Sequence, residues 1–232
     1  MSEQLRELEE RLGHVFHDVT LLQTALTHSS YANENNLPES SDNERLEFLG
    51  DAVLELFSSD FLYRNYKKLK EGELSKLRAS LVCEMALSDI AKKISLGKHI
   101  RLSAGEEKTG GRERNSILSD ALEAVIGAIY LDGGNEPVRS FIEGVVLTDI
   151  ESRRLFYDAK TILQERVQSK GMKLHYEEVG ESGPEHRKTF VMKAMIGEKV
   201  IGQGEGPSKK AAEQEAAYKG LLLLAKEDKD VS

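Results

Sequence analysis

Residues 43–54 read Asn43-Glu44-Arg45-Leu46-Glu47-Phe48-Leu49-Gly50-Asp51-Ala52-Val53-Leu54. Apolar residues recur there at helical spacing and on more than one side. The stretch therefore predicts a helix, from Glu44 to about Tyr63, that is buried inside a domain rather than lying on its surface. Glu44, Glu47 and Asp51 stand at i, i+3 and i+7 and so share one stripe of that helix. A second stretch, Ile117 to Leu131, has the same character: Asp120 and Glu123 share a face among Leu118, Ala121, Leu122, Val125, Ile126 and Ile129.

Clustered carboxylates with little access to water are costly unless they are protonated or neutralised by a cation. Two such helices packed together would offer four or more carboxylate oxygens to a hard divalent ion. Mg²⁺ prefers oxygen ligands, keeps several waters and suits phosphodiester hydrolysis. Periodicity alone leaves a second reading open, in which each carboxylate is an ordinary helix-surface charge. The sequence has no His-x-x-x-His zinc pair, no Gly-rich phosphate loop with a lysine and no serine nucleophile elbow, so no nucleotide cofactor is expected.

Outward from these two helices, residues 3–12 and 18–26 read as short amphipathic helices and 33–42 as a surface loop. A helix is expected from Leu74 to Ile94, an exposed glycine-bearing loop over 103–114, and a hydrophobic helix over 116–131 stopped by Asp132-Gly133-Gly134. Pro137 opens another, running to about residue 150. No long alternating pattern occurs before residue 158, so an all-helical first domain is expected over residues 1–150.

The pattern then changes. A charged linker is expected over 151–158 and a short helix from Ala159 to Gln168. Strands follow at 174–179, 189–196 and 199–204, then an Ala-rich helix from Ser208 to Ala225 and a frayed acidic tail, 226–232. The second domain, 159–225, is thus a compact α-β-β-β-α module with a three-stranded antiparallel sheet.

The 232 residues carry a formal net charge of −8, which taken globally argues against a nucleic-acid partner. The average hides an asymmetry: 19 basic against 27 acidic side chains over residues 1–157, but 11 against 10 over 158–224. The single cysteine, Cys83, stands in an apolar-rich run and reads as a small buried hydrophobe. No apolar run approaches the length that crosses a bilayer, and Met1-Ser2-Glu3-Gln4 opens no apolar signal core. A soluble cytoplasmic protein with no membrane partner is expected.

With those residues in view, the chain resembles the bacterial ribonuclease III family. Asn43–Leu54 is similar to that family's signature stretch, and Ser119–Asp132 to its other acidic motif. Ala25-Leu26-Thr27-His28, Gly72-Glu73-Leu74-Ser75 and Leu77-Arg78-Ala79 also resemble family stretches. Residues 159–225 look like a double-stranded-RNA-binding domain, so the match covers nearly the whole chain.

The resemblance implies a magnesium-dependent endoribonuclease, with Mn²⁺ as a substitute, acting on double-stranded RNA. Glu47, Asp51, Asp120 and Glu123 match the family's metal-binding carboxylates, and Asp51 and Glu123 the pair usually assigned as catalytic. Glu44 and Glu71 match acidic positions around RNA cleavage and a second metal position. Water activated by the metal attacks phosphorus, leaving 5′-phosphate and 3′-hydroxyl ends, in the processing of ribosomal and messenger RNA precursors.

The family is a symmetric homodimer. If Glu47 faces the metal, Phe48 is rotated about 100° round the helix, available either to the domain's own core or to a partner; the matching family aromatic inserts into the other protomer. In the second domain, Ser208 reads as an N-cap followed by Lys209 and Lys210. Cations in a first helical turn oppose the helix dipole, which makes sense if phosphate is their partner; a solvated lysine pair is the plain alternative. The resemblance adds Gln164 on the first helix and His186 in the loop after the first strand as contacts to 2′-hydroxyls or phosphates. Two other functions fit parts of the sequence: a non-cleaving RNA-binding relative, and a metal-stabilised structural dimer, which leaves the second domain unused.

Overall fold

The computed structural model describes residues 3–182 and 188–230, in two units, Met1–Thr148 and Asp149–Ser232. The first consists of helices α1 (Glu3–Leu12), α2 (Val19–Ala25), α3 (Ser29–Glu34), α4 (Glu44–Asn65), α5 (Glu71–Leu81), α6 (Glu84–Lys93), α7 (Ala104–Lys108), α8 (Asn115–Gly133) and α9 (Asn135–Phe141), with a π-helical turn at Ile142–Val146. Among its described residues the only strand-like pairing is one isolated bridge between Thr27 and Arg101.

The centre of this unit is α8. Ile117, Leu118, Ala121, Leu122, Val125, Ile126 and Ile129 are all buried, as an all-round apolar helix must be. Each large aliphatic side chain so buried stabilises the fold by roughly 1.5–3 kcal/mol before entropy is counted. Helix α4 crosses α8 at two glycines. A Cβ on Gly50 would stand 1.8 Å from the Glu123 carbonyl oxygen, and one on Gly127 2.4 Å from that of Leu46. Only glycine permits backbones to come this close.

The C-terminus of α8 is tied to the segment between α1 and α2 by Asp132, whose side chain is 1% exposed. It accepts hydrogen bonds from the Asp18 N–H at 2.8 Å, the His17 N–H at 3.1 Å, His14 Nε2 at 2.8 Å and His17 Nδ1 at 3.2 Å. Burial alone would raise its pKa, but these donors outweigh burial and hold it down to about 2.

The helix expected from Leu74 to Ile94 is divided at Val82 and Cys83. In one straight helix Ile90 would lie about 140° round the axis from Leu77, so both could not face one core. The break buries Leu77 and Leu81 from α5 and Leu87 and Ile90 from α6. Cys83, expected to be buried, sits half-buried at the turn, its thiol directed to the Ser80 carbonyl. The expected open loop over 103–114 is also more ordered. Ser103 caps α7 through the Glu106 N–H, and Gly111–Glu113 forms a 3₁₀ turn.

The second unit runs α10 (Ile150–Tyr157), α11 (Ala159–Ser169), β1 (Leu174–Ser182), β2 (Thr189–Ile196), β3 (Lys199–Gly206) and α12 (Lys209–Asp230). The antiparallel sheet has the order β1-β2-β3. Its core joins Ala159, Leu163 and Val167 of α11 to Ala194, Ile201 and the Ala216, Ala217, Leu221 and Leu224 stripe of α12. Again glycine sets the spacing. A Cβ on Gly202 or Gly204 would fall 2.2 or 2.3 Å from the carbonyl oxygens of Ala216 and Ala212, so β3 lies directly on α12.

Two expected boundaries are corrected here. Residues 151–158, expected as a charged linker, are largely helical and belong to the second unit: helix α10 forms, Leu155 packs against that unit's core, and the Phe156 ring meets Tyr218 edge-on at 5.3 Å. Residues 226–230 of the expected frayed tail are helical, since α12 continues to Asp230. Asp228 pairs with Arg166 and Glu227 with Lys199 along this last part of the helix.

The α4–α8 crossing makes a quantitative claim. Gly50→Ala should destabilise the protein by about 3 kcal/mol, the upper part of the usual overpacking range. Gly144→Ala, where the added methyl meets nothing within 4 Å, should be nearly neutral. Thermal unfolding of the two variants checks this; equal melting temperatures would contradict the close crossing.

Candidate metal centre and nucleic-acid interface

The glycine crossing explains how the acidic stripes meet. Glu47 lies three residues before Gly50 on α4, and Glu123 four residues before Gly127 on α8. Drawing the two backbones together at the glycines brings those carboxyl groups to the same seam. Carboxylate oxygens of Glu47, Asp120 and Glu123 all lie within 4.8 Å of one another. Ser119 Oγ is 3.2 Å from Asp120 Oδ1 and can donate to it.

Electrostatics at the seam are unfavourable for three anions. Burial, followed by repulsion from Asp51, Asp120 and Glu47, pushes the Glu123 carboxyl up to about 8. Glu47 is raised by burial and then by Asp120, Glu44 and Asp51. Burial also raises Asp120; the Ser119 hydroxyl opposes it, Glu84 adds to it, and His28 opposes it. Asp51, expected with the others, is exposed and stands outside the close trio, near enough to repel both Glu47 and Glu123.

The two looser acidic candidates lie further out. Glu44 is exposed on α4, where it repels Glu47. Glu71, in the first turn of α5, accepts a hydrogen bond from Ser75 at 2.9 Å and is not part of the trio. The effects of Glu84 and His28 on Asp120 were not legible in the sequence: they come from α6 and from the residue that caps α3, and no spacing rule links them to α8.

Phe48 is 82% exposed, so it is not a core residue of its own unit. Leu56 at 63% and Tyr63 at 76% lie within about 80° of it round the helix, forming an apolar stripe along the outside of α4.

In the second unit, Ser208 Oγ accepts from the Ala211 N–H at 3.2 Å and caps α12, as expected. Lys209 and Lys210 are both exposed in its first turn, and Gln164 is half-buried on α11. Lys209 is already engaged by Glu178 at 2.6 Å. His186 lies outside the described residues.

Residues 18–150 match a Ribonuclease-III-like family model, and residues 159–224 match a double-stranded RNA binding motif. The chain is also 50% identical over 224 residues to Ribonuclease 3 of Caldanaerobacter subterraneus, covering 95% of this chain and 98% of that one. The chain belongs to the ribonuclease III family. Ribonuclease 3 of Oceanobacillus iheyensis is a similar relative, 50% identical over 220 residues and 94% of this chain, with 96% of that protein covered. Among solved structures, the nuclease domain of Campylobacter jejuni ribonuclease III superposes with a TM-score of 0.57 at 46% identity. That match covers 61% of this chain and 95% of the Campylobacter chain. The all-helical unit followed by a small α+β unit is thus the architecture of a ribonuclease III with a C-terminal double-stranded-RNA-binding domain.

The raised Glu123 carboxyl has a consequence for stability. Its folded value of about 8 exceeds its ordinary value of 4.5, so its contribution is fully present below about 4.5 and declines as pH rises towards 8. Glu123→Gln abolishes that decline. In EDTA its gain in melting temperature over the parent protein should be larger at pH 8 than at pH 5.5. An equal shift at both pH values would mean that Glu123 is not crowded by its anionic neighbours.

Proposed function

We propose that this ribonuclease III is a homodimeric, magnesium-dependent endoribonuclease that hydrolyses double-stranded RNA to 5′-phosphate and 3′-hydroxyl ends. The observation that carries the reading is the Glu47, Asp120 and Glu123 trio at the α4–α8 seam, in a chain whose second unit matches an RNA-binding motif. A ribonuclease is supported by its Ribonuclease 3 relatives, and duplex RNA as the substrate class by the matched motif.

The donor set fits a hard divalent cation. Every ligand atom is a carboxylate oxygen, and burial raises all three carboxyl groups, with repulsion from neighbouring carboxylates adding to it, a strain that a dication would relieve. Glu47, Asp120 and Glu123 would hold the ion, and the exposed Asp51 would hold and orient water at the rim. The Ser119 hydroxyl, which also lies 2.8 Å from the Ser116 carbonyl oxygen, is the nearest hydrogen-bond donor to the Asp120 carboxylate. Bound there, Mg²⁺, or Mn²⁺ in its place, supplies Lewis-acid stabilisation of charge on the phosphoryl oxygens and a lowered water pKa.

Binding and cutting are assigned to different units. Gln164, Lys209 and Lys210, with His186, read duplex shape through 2′-hydroxyls and phosphates, which makes binding salt-sensitive rather than sequence-specific. Phe48, Leu56 and Tyr63 form the apolar stripe that a second copy would cover. The related Campylobacter domain has a region involved in dimer formation, which favours that occupant. The substrates proposed are ribosomal and messenger RNA precursors, and the compartment the cytoplasm.

Glu123→Gln should reduce single-turnover cleavage of a long RNA duplex in Mg²⁺ by at least about 100-fold, with duplex affinity retained in the same preparation. A folded variant that cuts at nearly the original rate would refute the metal-site assignment; the parent protein should be silent in EDTA.

Phe48→Glu should weaken self-association. At micromolar concentration the parent should sediment as a dimer and the variant largely as a monomer. A parent monomer, or a variant dimer, would remove the stripe from the interface.

A further inference from the structure

The cation expected to meet phosphate is not free to do so. Lys209 Nζ lies 2.6 Å from Glu178 Oε2 on β1 and 5.9 Å from the centre of the Phe190 ring on β2. The lysine therefore folds back over the end of the sheet instead of projecting along α12. A hydrogen bond to Glu178, then its charge, raises the Lys209 pKa, and the charge of Glu181 adds to this.

The backbone builds this arrangement. Cross-strand partners share a face: Glu178 pairs with Met192 and Glu181 with Phe190. Met192 and Phe190 are two residues apart on β2, hence on one face. It is also the face of Ala194, which packs against α11 and α12. In a regular strand, residues 178 and 181 would point to opposite sides. Glu178 faces the helices in regular register with Leu174 and Tyr176, and the register shift between Glu178 and Gly180 inserts one extra residue that turns Glu181 to the same side. Each then holds a cation beside the expected RNA face: Glu178 takes Lys209, and Glu181 takes Lys188 at 2.9 Å, where β2 begins.

We infer that Glu178 acts as an internal stand-in for RNA phosphate, occupying Lys209 in the free protein so that duplex binding proceeds by exchange of one anion for another. The inference rests on the reading of the α12 N-terminus as a phosphate site. Its consequence is restraint: the second domain binds more weakly than its lysines would allow, and a short-lived enzyme–product complex follows. The near balance of 11 basic and 10 acidic side chains over residues 158–224 is in keeping with such restraint.

An exposed pair of this kind is worth little for stability, so its loss should not unfold the domain. It should show in affinity instead. Glu178→Gln in the full chain should bind an RNA duplex about two- to five-fold more tightly in EDTA, the size that exposed ion pairs allow. Glu178→Ala should give the same gain. In a Lys209→Gln background, Glu178→Gln should give no gain, because the carboxylate then has no lysine to withhold. An unchanged affinity for Glu178→Gln would overturn the inference, as would an equal gain in both backgrounds, which would reflect net charge alone.

The underlying reading is tested separately by Lys209→Gln alone, which should weaken binding and lower the logarithmic salt slope by about 1 at most. If it does neither, the phosphate site itself is wrong. If it does both while Glu178→Gln has no effect, only the role of Glu178 falls.

Discussion

The close crossing of α4 and α8 at Gly50 and Gly127 is the constraint on which the first unit depends. With no Cβ at either position, backbone meets backbone, and the carboxyl groups one turn earlier on each helix are forced into one seam. The apolar remainder of α8 stabilises the crossing, and the crossing in turn imposes like-charge repulsion on the site. Hydrophobic burial thus holds the seam shut against the repulsion its carboxyl groups exert when ionised, which is why Glu123 keeps its proton up to about pH 8. Under the proposed function, a divalent cation would resolve that conflict by converting repulsion into coordination.

A similar device recurs in the second unit. Gly202 and Gly204 lay β3 directly on the alanine-rich face of α12, so the strand fixes the helix axis and with it the position of the helix N-terminus. Packing again determines where charged groups stand. Yet the two sites differ in how charge is compensated. At the α4–α8 seam like charges are gathered, whereas at the α12 N-terminus a cation is already matched by Glu178. The first arrangement suits the proposed capture of an ion; the second is the one inferred to moderate capture of a polyanion.

Much of this was legible in the sequence because it depends on local periodicity. The i, i+3 and i+7 spacing puts Glu44, Glu47 and Asp51 on one stripe whatever the helix packs against, and Asp120 and Glu123 follow the same rule. The hydrophobic run 116–131 and the three strand patterns fixed the identity of the two units. Misreadings fell where a local pattern was ambiguous. Residues 151–158 carry charges that read as a linker, but Leu155 and Phe156 find an apolar surface on the second unit and the segment becomes helical. Val82 and Cys83 carry no breaker signal, yet burial of Leu77 and Ile90 on one core requires a bend there.

The sequence by itself determined the helical and strand periods, the two-unit order, and which carboxylates share a face. These follow from backbone geometry that is the same in every protein. Only the tertiary structure decided which of those carboxylates come together. Asp120 joins Glu47 and Glu123, while Asp51 remains exposed at the rim, because the crossing angle of two helices is set by their mutual packing and not by either one's own period. The same holds for the pairing of Lys209 with Glu178 across 31 residues of chain. It requires β1 to lie in register on β2, so that Glu178 stands opposite Met192 on the helix-facing side, and strand pairing is decided only when one strand is laid against another.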